Sequence, residues 1–166
     1  MRLTRVNASL IVLGAMILVI ATVLGFEHLG GFIPCALCLE QRQPFYAAMP
    51  LAALGVAASA FAWPAWLGRT LLALCGALMV YSAFLGGYHS GVEWGWWPGP
   101  SDCAAAGNGI SANVGDLLSD LSDRRAPSCS EAAGRFLGLS FAGWNVLASL
   151  GIAAIALRGA MNRDPA

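Results

Sequence analysis

The sequence predicts an all-α membrane protein, a polytopic four-helix bundle that forms a single membrane domain over residues 1–166. Of its residues 58% are apolar and only 11% are charged, whereas a soluble domain carries about 25% charged residues. Four long runs contain no charged residue at all, and a membrane-spanning helix needs about 20 mainly apolar residues. The basic residues are nine arginines that form no block, so the clustered cationic face that nucleic-acid binding requires is missing.

The four charge-free runs predict transmembrane helices at about 8–26, 44–62, 69–88 and 139–158. Buried helices of a soluble bundle would show polar faces at helical spacing, and these runs show none. A cleaved signal peptide is the alternative for the first run, because Arg2 and Arg5 precede it. Its apolar stretch is longer than the 7–15 residues of a signal sequence and no clear A-x-A site follows, so we interpret it as a membrane helix.

Four helices leave two outer loops, at 27–43 and 89–138. The opposite side holds both termini and the short loop between the second and third helices. That side carries five arginines: Arg2, Arg5, Arg69, Arg158 and Arg163. By the positive-inside rule it is cytoplasmic, which places both loops outside the cytoplasm; the reverse orientation stays open as the alternative. Within the long second loop, residues 113–121 have the spacing of a short amphipathic helix on the membrane surface or of an exposed helical turn.

The chain has five cysteines, and four of them fall in the two outer loops. Cys75 lies inside the third predicted helix, where a lone thiol is expected to pack as a small apolar residue. The other four are Cys35, Cys38, Cys103 and Cys129. Under the predicted orientation, all four face an oxidising compartment, where disulfides form and persist.

Cys35 and Cys38 form a C-x-x-C pair, which has three common uses. Haem attachment would need a histidine next, where the sequence has Leu39. A structural zinc site could combine the four outer cysteines, and a redox pair would keep one thiolate reactive. Arg42 favours a thiolate at Cys38 if both lie on one helix, but Pro44 leaves open whether the helix begins before the motif or near 43.

Cys103 and Cys129 frame a polar segment rich in Gly, Ala, Ser and Asp. Two interpretations are open for them. A structural disulfide would tie the loop, and a mobile, exposed disulfide would exchange readily with other thiols.

Six segments together resemble the DsbB family of disulfide oxidoreductases from bacterial inner membranes. They are PCALCLEQR (34–42), YSAF (81–84), YHSGVEW (88–94), GPSDC (99–103), SCSE (128–131) and FLGLSFAGWN (136–145). The resemblance implies a multi-pass inner-membrane enzyme with cytoplasmic termini and periplasmic cysteines. Such an enzyme reoxidises a soluble periplasmic thiol oxidase of the DsbA type and passes the electrons to a membrane quinone, either ubiquinone or menaquinone.

The resemblance also implies a role for each cysteine of the outer loops. Cys103 is expected to form the mixed disulfide with the soluble partner. Cys129 is its pair and is able to reach Cys35. Cys35 and Cys38 adjoin the quinone, and Cys38 is the thiolate that faces the ring.

Two further residues are expected at the quinone, and no metal is expected. Arg42 matches the family arginine that supports quinone binding. His89 could donate a hydrogen bond to a quinone carbonyl, with an interfacial histidine that anchors a helix end as the alternative. Trp144 and Asn145 match the family's fourth helix, where we expect them to pack.

Overall fold

The computed structural model describes residues 4–61, 63–100, 129–130 and 132–162. These residues form four long helices and one short hairpin. The elements are α1 (Arg5–His28), α2 (Ala36–Ala60), α3 (Ala65–Glu93), β1 (Arg135–Phe136), β2 (Leu139–Ser140) and α4 (Phe141–Met161). The predicted all-α bundle is confirmed. The helix considered for 113–121 lies outside the described residues.

Side chains of the preceding residues determine where three of the helices begin. Thr4 accepts a hydrogen bond from the backbone N–H of Asn7 before α1, and Ser140 accepts one from Gly143 before α4. Each bond satisfies one of the free N–H groups at a helix start. Cys35 takes the same position before α2, where its sulfur accepts the N–H of Cys38.

Three of the four described helices, α1, α3 and α4, are long and apolar enough to cross a membrane. Large apolar side chains such as Leu18, Phe84 and Leu147 are more than half exposed on their outer faces. A soluble protein does not expose contiguous apolar surface on this scale, so lipid is the natural solvent of these faces.

The helices approach one another closely, because small residues lie where they cross. A β-carbon added to Gly76 would come within 2.8 Å of the Leu157 side chain, and one added to Gly159 would come within 2.6 Å of Ala8. In lipid there is no hydrophobic drive between helices, so such close contacts carry much of the packing energy. Helix α3 lies along both α2 and α4, and α1 packs on α2 and α4.

A two-residue turn at Leu137 and Gly138 joins β1 to β2, and both residues have positive φ, 51° and 84°. This backbone matches the twist of a tight hairpin. The hairpin is attached to α4 by a 2.9 Å hydrogen bond from Nε1 of Trp144 to the carbonyl of Phe136. It therefore holds the chain just before α4 against the end of the bundle that carries the cysteines.

Candidate functional site

The C-x-x-C pair lies at the N-terminus of α2. Cys35 is the capping residue and Cys38 lies in the first turn, with their Sγ atoms 2.7 Å apart and both thiols free. A disulfide requires an S–S distance of about 2.05 Å, so the pair can close with a small movement. A helix N-terminus also stabilises a nearby thiolate through its partial positive charge.

A third cysteine lies against this pair. Cys129 is disulfide-bonded and only 2% exposed, and it shares one small apolar cluster with Cys35, Leu37 and Val92. Its predicted partner, Cys103, lies outside the described residues. The chain thus brings a disulfide from the second outer loop to the cysteine pair of the first.

His89 contacts the same pair from α3 and is only 3% exposed. Its Nε2 atom lies 3.7 Å from Sγ of Cys35 and 3.8 Å from Oε1 of Glu93. The hydrogen bond from Cys38, and after it the His89 ring, outweigh the effect of burial and hold the pKa of Cys35 well below that of an ordinary thiol. Cys35 therefore lies where a thiolate is stabilised.

A polar network behind His89 connects α2, α3 and α4. Nε2 of Gln41 lies 2.7 Å from Nδ1 of His89, and Oε1 of Gln41 accepts a 2.9 Å hydrogen bond from Nδ2 of Asn145. Ser82 and Ser149, both buried, extend this network with a 3.0 Å hydrogen bond between their hydroxyls. Polar side chains inside a membrane bundle are costly unless they are paired in this way.

On the other side of Cys38 a cleft opens between α1, α2 and the start of α4. Its unfilled space, including the open mouth, is about 690 Å³. Its wall includes a cluster of three aromatic rings, Phe26, Phe32 and Phe141, with centroids 5.1–6.1 Å apart. Cys38 and the polar side chains of α2 line the same space.

Arg42 places a positive charge in this cleft. The helix begins at Ala36, the earlier of the two starts that Pro44 left open, so Arg42 lies one turn beyond Cys38. Its Nη1 donates a 2.7 Å hydrogen bond to Oε2 of Glu27 on α1, and its buried Nε has no hydrogen-bond partner among the residues that the structure describes. A buried, unpaired N–H is costly. The Arg42 side chain as a whole lines the cleft.

The predicted site residues fall into two groups around the cysteine pair. Cys129 shares a buried cluster with Cys35, and His89 contacts the sulfur of Cys35, whereas Arg42 lines the cleft together with Cys38. Among the described residues, His89 is not part of the cleft wall, and its contact with a quinone stays a prediction.

Three polar residues of the site were not singled out from the sequence for this role: Glu27, Gln41 and Asn145. Asn145 was expected only to pack. An isolated amide inside a long apolar run is a signal that could have identified Asn145, because intramembrane polar groups pair with one another.

A metal site was not predicted, and zinc held by four cysteines was the alternative. In the described part of the chain, the sulfurs of Cys35 and Cys38 and a ring nitrogen of His89 lie within 4.8 Å of one another. This donor set suits zinc in type. Nε2 would be the ligand atom of His89, because Nδ1 lies 2.7 Å from Nε2 of Gln41.

Membrane-length helices that hold a cysteine pair against a disulfide define a membrane protein of thiol–disulfide chemistry. Comparison with known proteins makes this specific. Residues 5–158 match the family model described as disulfide bond formation protein DsbB. The chain is also 32% identical over 144 residues to disulfide bond formation protein B of Methylococcus capsulatus, covering 83% of each. The chain belongs to the DsbB family, as the sequence resemblance predicted. No solved structure matches it.

Proposed function

We propose that this protein is a thiol:quinone oxidoreductase of the bacterial inner membrane. It reoxidises a soluble periplasmic thiol oxidase of the DsbA type and delivers the electrons to a membrane quinone. The proposal combines the family membership with one observation, the continuous order of groups from Cys129 through Cys35 and Cys38 to the cleft. Cys129 and Cys35 share one buried cluster, the sulfurs of Cys35 and Cys38 lie 2.7 Å apart, and Cys38 lines the cleft. This order suits successive thiol–disulfide exchange.

The exchange begins at the Cys103–Cys129 disulfide. A thiolate of the reduced partner attacks Cys103, and the electron pair of the broken bond stays on Cys129. Cys129 then attacks Cys35 in the Cys35–Cys38 disulfide, and Cys38 leaves as a thiolate at the edge of the cleft. Attack at Cys35 is favoured because Cys35 is buried in one cluster with Cys129, whereas Cys38 is only partly buried at the edge of that cluster and also lines the cleft.

The cleft fits a quinone in the chemistry of its lining. Aromatic and aliphatic side chains cover most of it, as an apolar ring requires, and the guanidinium of Arg42 lines it as a donor group suited to a carbonyl oxygen. A bound quinone would supply the two-electron acceptor. The hydrogen bond with Cys35 and burial raise the pKa of the Cys38 thiol, and the nearby Arg42 guanidinium opposes this by favouring the thiolate. The aromatic wall excludes water.

We also propose that the protein lies in the bacterial inner membrane, with cytoplasmic termini and periplasmic cysteines. This orientation is supported by the distribution of arginines and by the oxidising compartment that the disulfide of Cys129 requires. The DsbA-type partner is inferred from the family.

The decisive experiment follows quinone absorbance with purified protein and a reduced DsbA-type partner. We expect quinone reduction by the native chain and none by Cys38→Ala. Cys75→Ala is the matched control, because Cys75 is also a free cysteine but is buried in the core, 3.5 Å from the carbonyl of Ala48. Full turnover by Cys38→Ala would refute the proposal.

Metal analysis of the same preparation tests the zinc alternative. The oxidoreductase proposal predicts that quinone turnover proceeds in protein free of metal. Stoichiometric zinc at Cys35, Cys38 and His89, with no turnover of thiol or quinone, would replace it with a structural metal site.

A further inference from the structure

The polar network behind the cysteine pair determines which nitrogen of His89 carries the proton. Two backbone carbonyls anchor it, and a carbonyl can only accept a hydrogen bond. Nε2 of Gln41 donates to the carbonyl of Leu37 at 3.3 Å, and Nδ2 of Asn145 donates to the carbonyl of Ser82 at 3.3 Å. Turning either amide would place its oxygen against a carbonyl oxygen, so both orientations are fixed.

These fixed amides leave one arrangement for the ring. The NH₂ group of Gln41 faces Nδ1 of His89 at 2.7 Å, and its oxygen is already used by Asn145. Nδ1 must therefore accept, and the neutral ring carries its proton on Nε2. That N–H points to Sγ of Cys35 at 3.7 Å, while the carboxylate oxygen of Glu93, at 3.8 Å, is beyond hydrogen-bond length.

We infer that Gln41, locked by Asn145, is a positioning residue that fixes His89 as an N–H donor to the sulfur of Cys35. In this tautomer His89 cannot accept the Cys35 proton, because its one lone pair is occupied by Gln41. Its role is to stabilise the Cys35 thiolate. The idea deepens the proposed function and rests on it for the catalytic step.

The step that uses this donor is the resolution of a Cys35–Cys129 disulfide. The second thiolate of the partner first attacks the mixed disulfide, so that the partner leaves oxidised and Cys103 becomes a thiolate. When the Cys103 thiolate attacks Cys129, the Cys103–Cys129 bond forms and the Cys35–Cys129 bond breaks. The electron pair of the broken bond stays on Cys35, which leaves as a thiolate, so that charge is conserved. The Nε2–H of His89 donates a hydrogen bond to this thiolate and stabilises it. Thiol–disulfide exchange is faster when the leaving thiolate is more stable.

The other groups that face Cys35 and His89 are few in the described part of the chain. Cys38 and Gln41 come from α2 and Glu93 comes from α3, where its side chain is 4% exposed. Cys129 packs on Cys35 but does not titrate while it is disulfide-bonded. The hydrogen bond from Cys38 also lowers the pKa of Cys35, so the effect of the ring must be measured without it.

The first test reads the tautomer directly. The chain has two histidines, so nitrogen NMR of ¹⁵N-histidine-labelled protein in detergent gives two ring systems, and His28→Gln assigns them. We expect the proton of His89 on Nε2 when the ring is neutral. A neutral ring protonated on Nδ1 in the native chain would overturn the inference without any variant that could misfold.

The second test follows alkylation of Cys35 against pH by mass spectrometry in a Cys38→Ala background. Adding Gln41→Leu frees the ring, and we expect the midpoint to rise by about one pH unit, as loss of a hydrogen bond to a charged group implies. Ser149→Ala is the matched control, since Ser149 is buried in the same network but contacts neither Gln41 nor His89. An unchanged midpoint for Gln41→Leu would overturn the positioning role.

Neither test uses a quinone or a soluble partner. The two proposals can therefore fail separately. If quinone reduction is absent but the tautomer and the Gln41 effect are found, the proposed function fails and the positioning role stands. If quinone is reduced but His89 carries its proton on Nδ1, the reverse holds.

Discussion

Two adjacent glycines of α3, Gly86 and Gly87, allow the packing of α3 on α4 to be tested with a matched pair of substitutions. A β-carbon at Gly86 would lie 2.9 Å from Cγ2 of Val146, 3.1 Å from the carbonyl of Ala142 and 3.1 Å from Nδ2 of Asn145. A β-carbon at Gly87 would meet nothing within 4 Å. The two changes to alanine are chemically identical and differ only in what the new methyl group contacts.

The two substitutions are expected to change the stability of the protein differently. Alanine is favoured over glycine inside a helix by about 1 kcal/mol, so Gly87→Ala should stabilise the protein by that amount. At Gly86 the same gain is opposed by overpacking, which costs about 1–3 kcal/mol. Val146 can rotate away, but the carbonyl of Ala142 belongs to the α4 backbone and can move only with the helix. The two variants should therefore differ in stability by about 1–3 kcal/mol.

Reversible unfolding in mixed micelles with increasing SDS, followed by circular dichroism, measures this difference. We expect Gly86→Ala to unfold at a lower SDS fraction than Gly87→Ala. Equal midpoints would show that α3 and α4 do not approach as closely as the structure has them, and the argument from small residues would fail at this crossing.

Two further predictions concern stability at the cysteine end of the bundle. In a double-mutant cycle of Glu27→Gln and Arg42→Gln, the coupling free energy should be about 1–3 kcal/mol, because the hydrogen bond joins two charged groups but Glu27 is a quarter exposed to solvent screening. The cycle is measured by unfolding in detergent. A coupling near zero would show that the ion pair does not stabilise the cleft. Leu137 has φ 51° and is 79% exposed, and asparagine adopts this conformation more readily, so Leu137→Asn should raise unfolding stability in detergent by about 1 kcal/mol. A loss of stability there would show that contacts of the leucine, and not backbone strain, dominate.

The sequence predicted the bundle because its signal is repeated along each helix. Every membrane-length run lacks charged residues over its whole length, so no single residue could change the conclusion. The start of α2 could not be predicted in the same way. Pro44 is compatible with a helix that begins beside it and with one that passes through it, and the choice depends on the cap that Cys35 supplies.

The cysteines of the site were predicted and its amides were not, for a physical reason. A C-x-x-C pair with an arginine one turn later carries its chemistry in local spacing. Gln41 and Asn145 acquire theirs only when α2 and α4 come together, 104 residues apart along the chain. A local sequence pattern does not reveal a contact between residues so far apart in the chain. An asparagine in an otherwise apolar run does indicate that its side chain has a polar partner.

The two cysteines at the start of α2 lie less than one helical turn apart, but their surroundings differ. Cys35, outside the helix, meets Cys129 and His89 in a dry cluster against α3, whereas Cys38, inside it, borders the cleft that α1 and α4 enclose. A reagent that fits the cleft thus reaches Cys38, and a disulfide brought by the outer loop reaches Cys35. In the proposed function, this two-residue spacer separates the soluble thiol from the membrane acceptor, because electrons then pass between them only when the bond between Cys35 and Cys38 opens and closes.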